Sequence, residues 1–218
     1  MLSPTQIEHI AKKAAAFVAR VLAMDYDYSI ELINDPTIIE DGLFDPPTRT
    51  IKLNLAQLRP FSAENFVDRN DAPPEEGLTP EQSEQWGFIL KICSVTFHEI
   101  RHMYQVMEAR AYAINSMYGG RIAPQHESNQ KCAKWVEELK DYTLDKSSGT
   151  DVEEDADDFA YYLSNRYPFV NELLETNRRI GAFKRKYDKV LLRTDMRGIP
   201  SGLGNLDKLV DGTDDSAL

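Results

Sequence analysis

Two histidines and a glutamate stand together in His98-Glu99-Ile100-Arg101-His102, an H-E-x-x-H pattern. On a helix, four residues turn the side-chain direction by about 400°, which leaves the two imidazoles about 40° apart on one face. Both can then reach one metal ion. Glu99 projects about 100° from His98, beside the metal, where a carboxylate can take a proton from bound water. The pattern has a purely structural use as well: two satisfied histidines in a helix, one of them paired with Glu99.

The third ligand decides between these uses. Zinc hydrolases hold the ion with three protein ligands and keep one position open for water. The chain has four histidines, so His9 and His126 remain. His9 falls among polar neighbours on an N-terminal helix and is expected to be exposed. His126 lies in a Pro-containing loop and stays a candidate. A carboxylate from residues 151–160 is the better one, because six of those ten positions are acidic. Asp151, Glu154 and Asp158 are accounted for by the first turn of a helix, where negative charge meets the positive end of the dipole. Glu153 and Asp157 are four apart and share a face. One can bind zinc while the other accepts the free N–H of a zinc-bound imidazole, fixing the ring and raising its basicity. Ala156 between them is small enough to let two helices approach closely.

With these residues in view, the sequence resembles the gluzincin metallopeptidases, in which H-E-x-x-H is followed downstream by E-x-x-A-D. His98–His102 and Glu153-Glu154-Asp155-Ala156-Asp157-Asp158-Phe159-Ala160 look most like the ImmA/IrrE type, whose second motif usually reads E-x-E-A-[ND]-x-F-A. The resemblance spans residues 45–163. It implies a small zinc-dependent endopeptidase that cleaves a repressor or other regulatory protein. Carried over by position, Zn2+ is held by His98, His102 and Glu153, Glu99 is the general base, and Asp157 lies behind a zinc-bound imidazole. It also implies a zincin-like fold with an edge strand that aligns the substrate. Three features depart from the family pattern. Arg101 replaces a small residue, Asp155 replaces the usual Glu, and 51 positions separate His102 from Glu153.

Several elements must position these groups. Ile7, Ile10, Ala14, Phe17, Val21 and Met24 make one apolar face of a helix over residues 5–24, opened by Ser3-Pro4. Residues 28–33 and 50–55 read as strands, the second by its alternation, and give a small sheet expected to be antiparallel. The strand at 50–55 is expected to flank the metal cleft and offer its edge to substrate. Residues 60–77 lack periodicity and would form a loop, placed to act as a lid. A T-x-x-Q capping box at Thr79 starts a long helix over residues 80–118, closed by Gly119-Gly120. Phe88, Ile89, Ile92, Val95, Phe97 and Ile100 bracket the motif within it, so it should be buried. Further helices are expected over residues 129–142, 152–165 and 170–191, with a flexible tail at 198–218. The fold class is α+β, zincin-like, with one domain over residues 1–197.

Composition narrows the function classes. Among 218 residues, 25 Lys and Arg against 36 Asp and Glu leave a net charge of −11. That balance argues against phosphate-backbone binding as the main task. The cluster Arg178, Arg179, Lys184, Arg185, Lys186 reads as a solvated face rather than a nucleic-acid patch. No stretch approaches the roughly 18 apolar residues of a membrane span, and the N-terminus lacks a signal-peptide layout, so a cytoplasmic protein is expected. Cys93 and Cys132 form no CxxC pair and read as reduced structural thiols. The expected partner is a protein or peptide substrate, with neither nucleic acid nor membrane. Tyr104, Tyr118, Tyr161 and Tyr162 are candidate transition-state donors, and Arg101 should either border the site or form a surface ion pair. Two other readings stand beside the peptidase: a metal-binding regulatory or scaffold protein without turnover, and, on the basic cluster alone, a DNA-binding regulator.

Overall fold

Ser3 and Pro4 start the first helix, α1 (Pro4–Val21), as expected. The Ser3 hydroxyl accepts from the Gln6 N–H at 3.3 Å, and the Gln6 amide oxygen accepts from the Ser3 N–H at 2.8 Å. The helix stops short of Met24. Ala23 turns into the left-handed region at φ 51, the Met24 N–H donates to Ala19 O at 2.8 Å, and the Ala23 N–H donates to Arg20 O at 3.1 Å. These two bonds make a Schellman stop, with alanine at the position glycine usually holds. The computed structural model describes residues 2–25, 27–59, 79–140 and 150–166.

Among the described residues the architecture is α+β, with five helices and a small three-stranded sheet. The strands are β1 (Ser29–Ile33), β2 (Gly42–Asp45) and β3 (Thr50–Asn54), in the order β1-β3-β2. The sheet is mixed, not antiparallel: β3 runs parallel to β1 and antiparallel to β2. The third strand therefore inserts between two that are neighbours in sequence. Residues 34–41 cross over its end, and Asn54 pins them there. Its amide donates to Asp35 O at 2.8 Å and Ile38 O at 2.9 Å, and its oxygen accepts from the Asp35 N–H at 3.1 Å and the Ala56 N–H at 3.2 Å. Asn54 is fully buried. All four hydrogen-bonding directions of its amide are thus used, which is what burial of such a group requires. Leu55, expected to end the strand, instead opens the short α2 (Leu55–Leu58).

The long helix α3 (Pro80–Met117) has 38 residues and ends at Gly119, whose φ of 68 is the left-handed stop expected there. At about 1.5 Å per residue it runs roughly 57 Å. Ile89, Ile92, Cys93, Phe97 and Ile100 are buried along it against α1 and the sheet. On α3 also pack α4 (Asn129–Lys140) and α5 (Asp151–Arg166). Thr150 caps α5 with its hydroxyl on the Glu153 N–H at 3.3 Å. Val152, Ala156, Phe159 and Leu163 form the buried stripe of α5, with Ala156 fully buried where the helices meet. Cys93 and Cys132 are both buried free thiols. Among the described residues no helix is long and apolar enough to cross a membrane. The expected lid at 60–77, the helix at 170–191 with its basic cluster, and the tail at 198–218 lie outside the described residues.

Candidate metal centre

Periodicity along α3 puts His98 and His102 on one face, and the capped first turn of α5 lays Glu153 across them. His98 Nε2 and His102 Nε2 are 2.8 Å apart, and each stands 3.3 Å from one oxygen of Glu153. The three ligating atoms form one group able to hold a metal ion. Among the described residues His9 and His126 are exposed and take no part in it. Glu154, next to Glu153, is exposed too.

The outer nitrogen of each ring is already committed. His98 Nδ1 lies 2.9 Å from Asp157 Oδ1, the contact expected of that carboxylate, although the Asp157 side chain itself is 75% exposed. His102 Nδ1 lies 2.8 Å from Gln105 Oε1. Both partners present acceptors, so both Nδ1 atoms carry their protons. In the neutral rings the two Nε2 lone pairs then face each other beside a carboxylate. Three converging acceptors repel, and a cation between them, a proton on one ring or a metal ion, removes the conflict. The donor set, two imidazoles and one carboxylate, suits zinc. Burial alone would lower the His98 pKa, but hydrogen bonds to Asp157 and Glu153 and the charge of Glu99 raise it to about 10.

Glu99 is buried beside the group. Burial raises its carboxyl above the ordinary range, while the two imidazoles and the Phe44 N–H, which donates to it, pull the other way. Phe44 belongs to β2, and Gly42 of the same strand lets β2 come so close. A Cβ there would lie 2.6 Å from Val95 Cγ1 and 3.2 Å from Glu99 Cγ. Gly42, Leu43 and Phe44 line a cleft of about 720 Å³ together with His98, Glu99, His102 and Glu153 and with Val136 and Leu139 of α4.

Two expectations fail here. The strand at 50–55 reaches the cleft through Lys52, but it is central, with β1 and β2 on its two sides, so it has no edge to offer; β2 is the edge strand beside the site. Arg101 neither borders the cleft nor lies at the surface. It is fully buried, with Nε 2.7 Å from Asp155 Oδ2 and its guanidinium over the rings of Tyr104 and Phe159, each at 4.9 Å. None of the four candidate tyrosines lines the cleft: Tyr104 is buried with its hydroxyl donating to Glu127 at 3.3 Å, and Tyr118 and Tyr161 are exposed. Sequence reasoning missed Gln105, although its i+3 spacing from His102 is a usable signal. It also missed β2, whose four residues are too few to show a period. Comparison with family models, curated proteins and solved structures found no match to this chain.

Proposed function

We propose that the protein is a zinc-dependent endopeptidase acting on a protein substrate, a regulator or repressor in the sense the gluzincin resemblance implies. The observation that carries this reading is the convergence of His98, His102 and Glu153 in a cleft that also holds a buried Glu99. A bound zinc ion would lower the pKa of its water and polarise the scissile carbonyl. Glu99 takes a proton from the attacking water and returns it to the leaving amine. Burial raises its pKa, which makes the carboxylate a stronger base for the first half of that exchange. The Phe44 N–H holds the carboxylate in place. Asp157 and Gln105 hold the two Nδ1 protons, which leaves Nε2 of each ring as the nitrogen turned to the metal. An extended peptide would pair with β2, gaining backbone hydrogen bonds that depend little on side chains.

The second reading, a metal-holding regulatory or scaffold protein, is favoured by one observation: among the described residues no tyrosine reaches the cleft to stabilise the transition state. One experiment separates the two. Purified protein is expected to contain about one zinc per chain, and Glu99→Gln to keep that zinc while losing cleavage of a candidate regulator. Cleavage unchanged by Glu99→Gln would exclude Glu99 as the base. No cleavage by the wild type across regulators and peptide libraries, with zinc present, would favour the scaffold. Glu153→Gln should weaken zinc binding and Glu154→Gln should not; equal effects would show that the wrong acid has been assigned.

A further inference from the structure

We propose that Gln105 is a positioning residue for His102, and that the buried Arg101–Asp155 pair sets which way its amide faces. The inference rests on the metal-site reading above and deepens it.

A glutamine amide is ambidentate. With its oxygen toward His102 Nδ1, it accepts the ring proton and leaves Nε2 bare for a metal. With its NH2 group there, it would donate to Nδ1 and drive the proton to Nε2, the nitrogen that must ligate. The two orientations have almost the same shape, so packing alone does not choose between them. The surroundings do. Gln105 is fully buried, and its Nε2 donates to Val152 O at 2.9 Å and to Asp155 Oδ2 at 2.9 Å. A flipped amide would aim its oxygen at two acceptors.

Asp155 is held in turn from behind. Arg101 Nε donates to Asp155 Oδ2 at 2.7 Å, Arg101 Nη2 to Oδ1 at 3.2 Å, and Lys131 Nζ lies 2.6 Å from Oδ1. Arg101 is itself fixed between aromatic rings, so the carboxylate cannot turn. A chain of contacts therefore runs from a buried cation to a carboxylate, to an amide, to the tautomer of a ligating ring. His98 has a different arrangement: its partner Asp157 is a carboxylate, which has only acceptors to present and needs no orienting. The two ligands are set by two different means, and only His102 depends on the interior.

The test reads the proton directly. His98 Nε2 lies 2.8 Å from His102 Nε2 and can donate to it, so the tautomer is read in zinc-free His98→Ala protein, whose ring nitrogen–proton correlation spectra should show the His102 proton on Nδ1 while Gln105 is present. In that background Gln105→Leu should shift it toward Nε2, and with His98 in place it should weaken zinc binding, by chelator competition, about 10–100-fold. The double variant Arg101→Met with Asp155→Leu removes both charges together, which buried pairs tolerate far better than loss of one. It should shift the tautomer in the same direction by a smaller amount. A His102 proton on Nε2 with Gln105 in place overturns the proposal at once, whether or not the further variants fold. So does a folded Gln105→Leu whose tautomer and zinc affinity match those with Gln105 in place. If the wild type binds no zinc yet the tautomer shifts as described, the metal reading fails and the positioning role stands.

Discussion

Arg101 and Asp155 are the two residues in the motifs at which the chain departs from the pattern it resembles, and they are partners. Each looks anomalous alone; together they are one buried ion pair, with the guanidinium also 5.7 Å from the Trp135 ring. Removing Asp155 takes away the closest counterion of a fully buried guanidinium and leaves it the more distant Glu127 carboxylate, 3.7 Å away. Asp155→Asn is therefore expected to cost about 3–5 kcal/mol of stability in chemical denaturation, far more than a surface substitution. The effect should depend on pH in one direction. Burial pushes the Asp155 carboxyl up, but Arg101 and Lys131 outweigh it and hold the pKa below 3.8. A carboxyl depressed in the fold contributes fully above its unfolded value and loses that contribution as pH falls through its folded one. The gap between wild type and Asp155→Asn should accordingly narrow as the medium is acidified below 3.8. A gap constant with pH would contradict the ion pair. At this scale the sequence was legible where spacing is local. His98 with His102, and Glu153 with Asp157, are one turn apart and could be placed on their faces. The pairing of Arg101 with Asp155 crosses 54 positions, and six acids in one short run gave no means of choosing among them.

Polarity misled the reading of β3. Thr50, Lys52 and Asn54 alternate with Ile51, Leu53 and Leu55, which describes a strand with one wet face. Yet Thr50 and Asn54 are buried, Thr50 through its 2.8 Å contact with the Ser29 hydroxyl and Asn54 through the crossing segment. A polar side chain that meets its partners inside the fold is indistinguishable, in sequence, from one that meets water. The long helix was legible because caps, period and stop all agreed over many turns. What no periodicity could show is how near β2 lies to it. Gly42→Ala tests that approach. The added methyl meets Val95, a β-branched side chain with little rotamer freedom on a helix. It is expected to cost about 1–3 kcal/mol and to lift β2, weakening the Phe44 hydrogen bond to Glu99. The peptidase turnover proposed above should fall while zinc content is kept. Wild-type stability in Gly42→Ala would mean that β2 has room to spare.

The molecule is arranged around α3, with α1 and the sheet packed on it and α4 and α5 closing the other contacts. A metal ion at His98, His102 and Glu153 would clasp α3 to α5, joining stretches far apart in the chain. In the metal-free protein a proton on His98 fills part of that role. Its pKa is raised from 6.5 to about 10, so the contribution is complete below 6.5 and lost as pH rises through about 10. Zinc must displace this proton. Its apparent affinity should therefore climb with pH up to about 10, and calorimetry in buffers of different ionisation enthalpy should find close to one proton released per ion. Zinc uptake with no proton release would contradict this arrangement. The order of the strands has a further effect, felt while the chain is being made. As synthesis proceeds, β1 and then β2 are made before β3, the strand that each of them pairs with in the folded sheet. Both wait with bare backbone until Asn54 emerges and closes the crossing. Until β3 has been made the native sheet lacks its central strand, and the wall that places β2 against Glu99 has nothing to hang from.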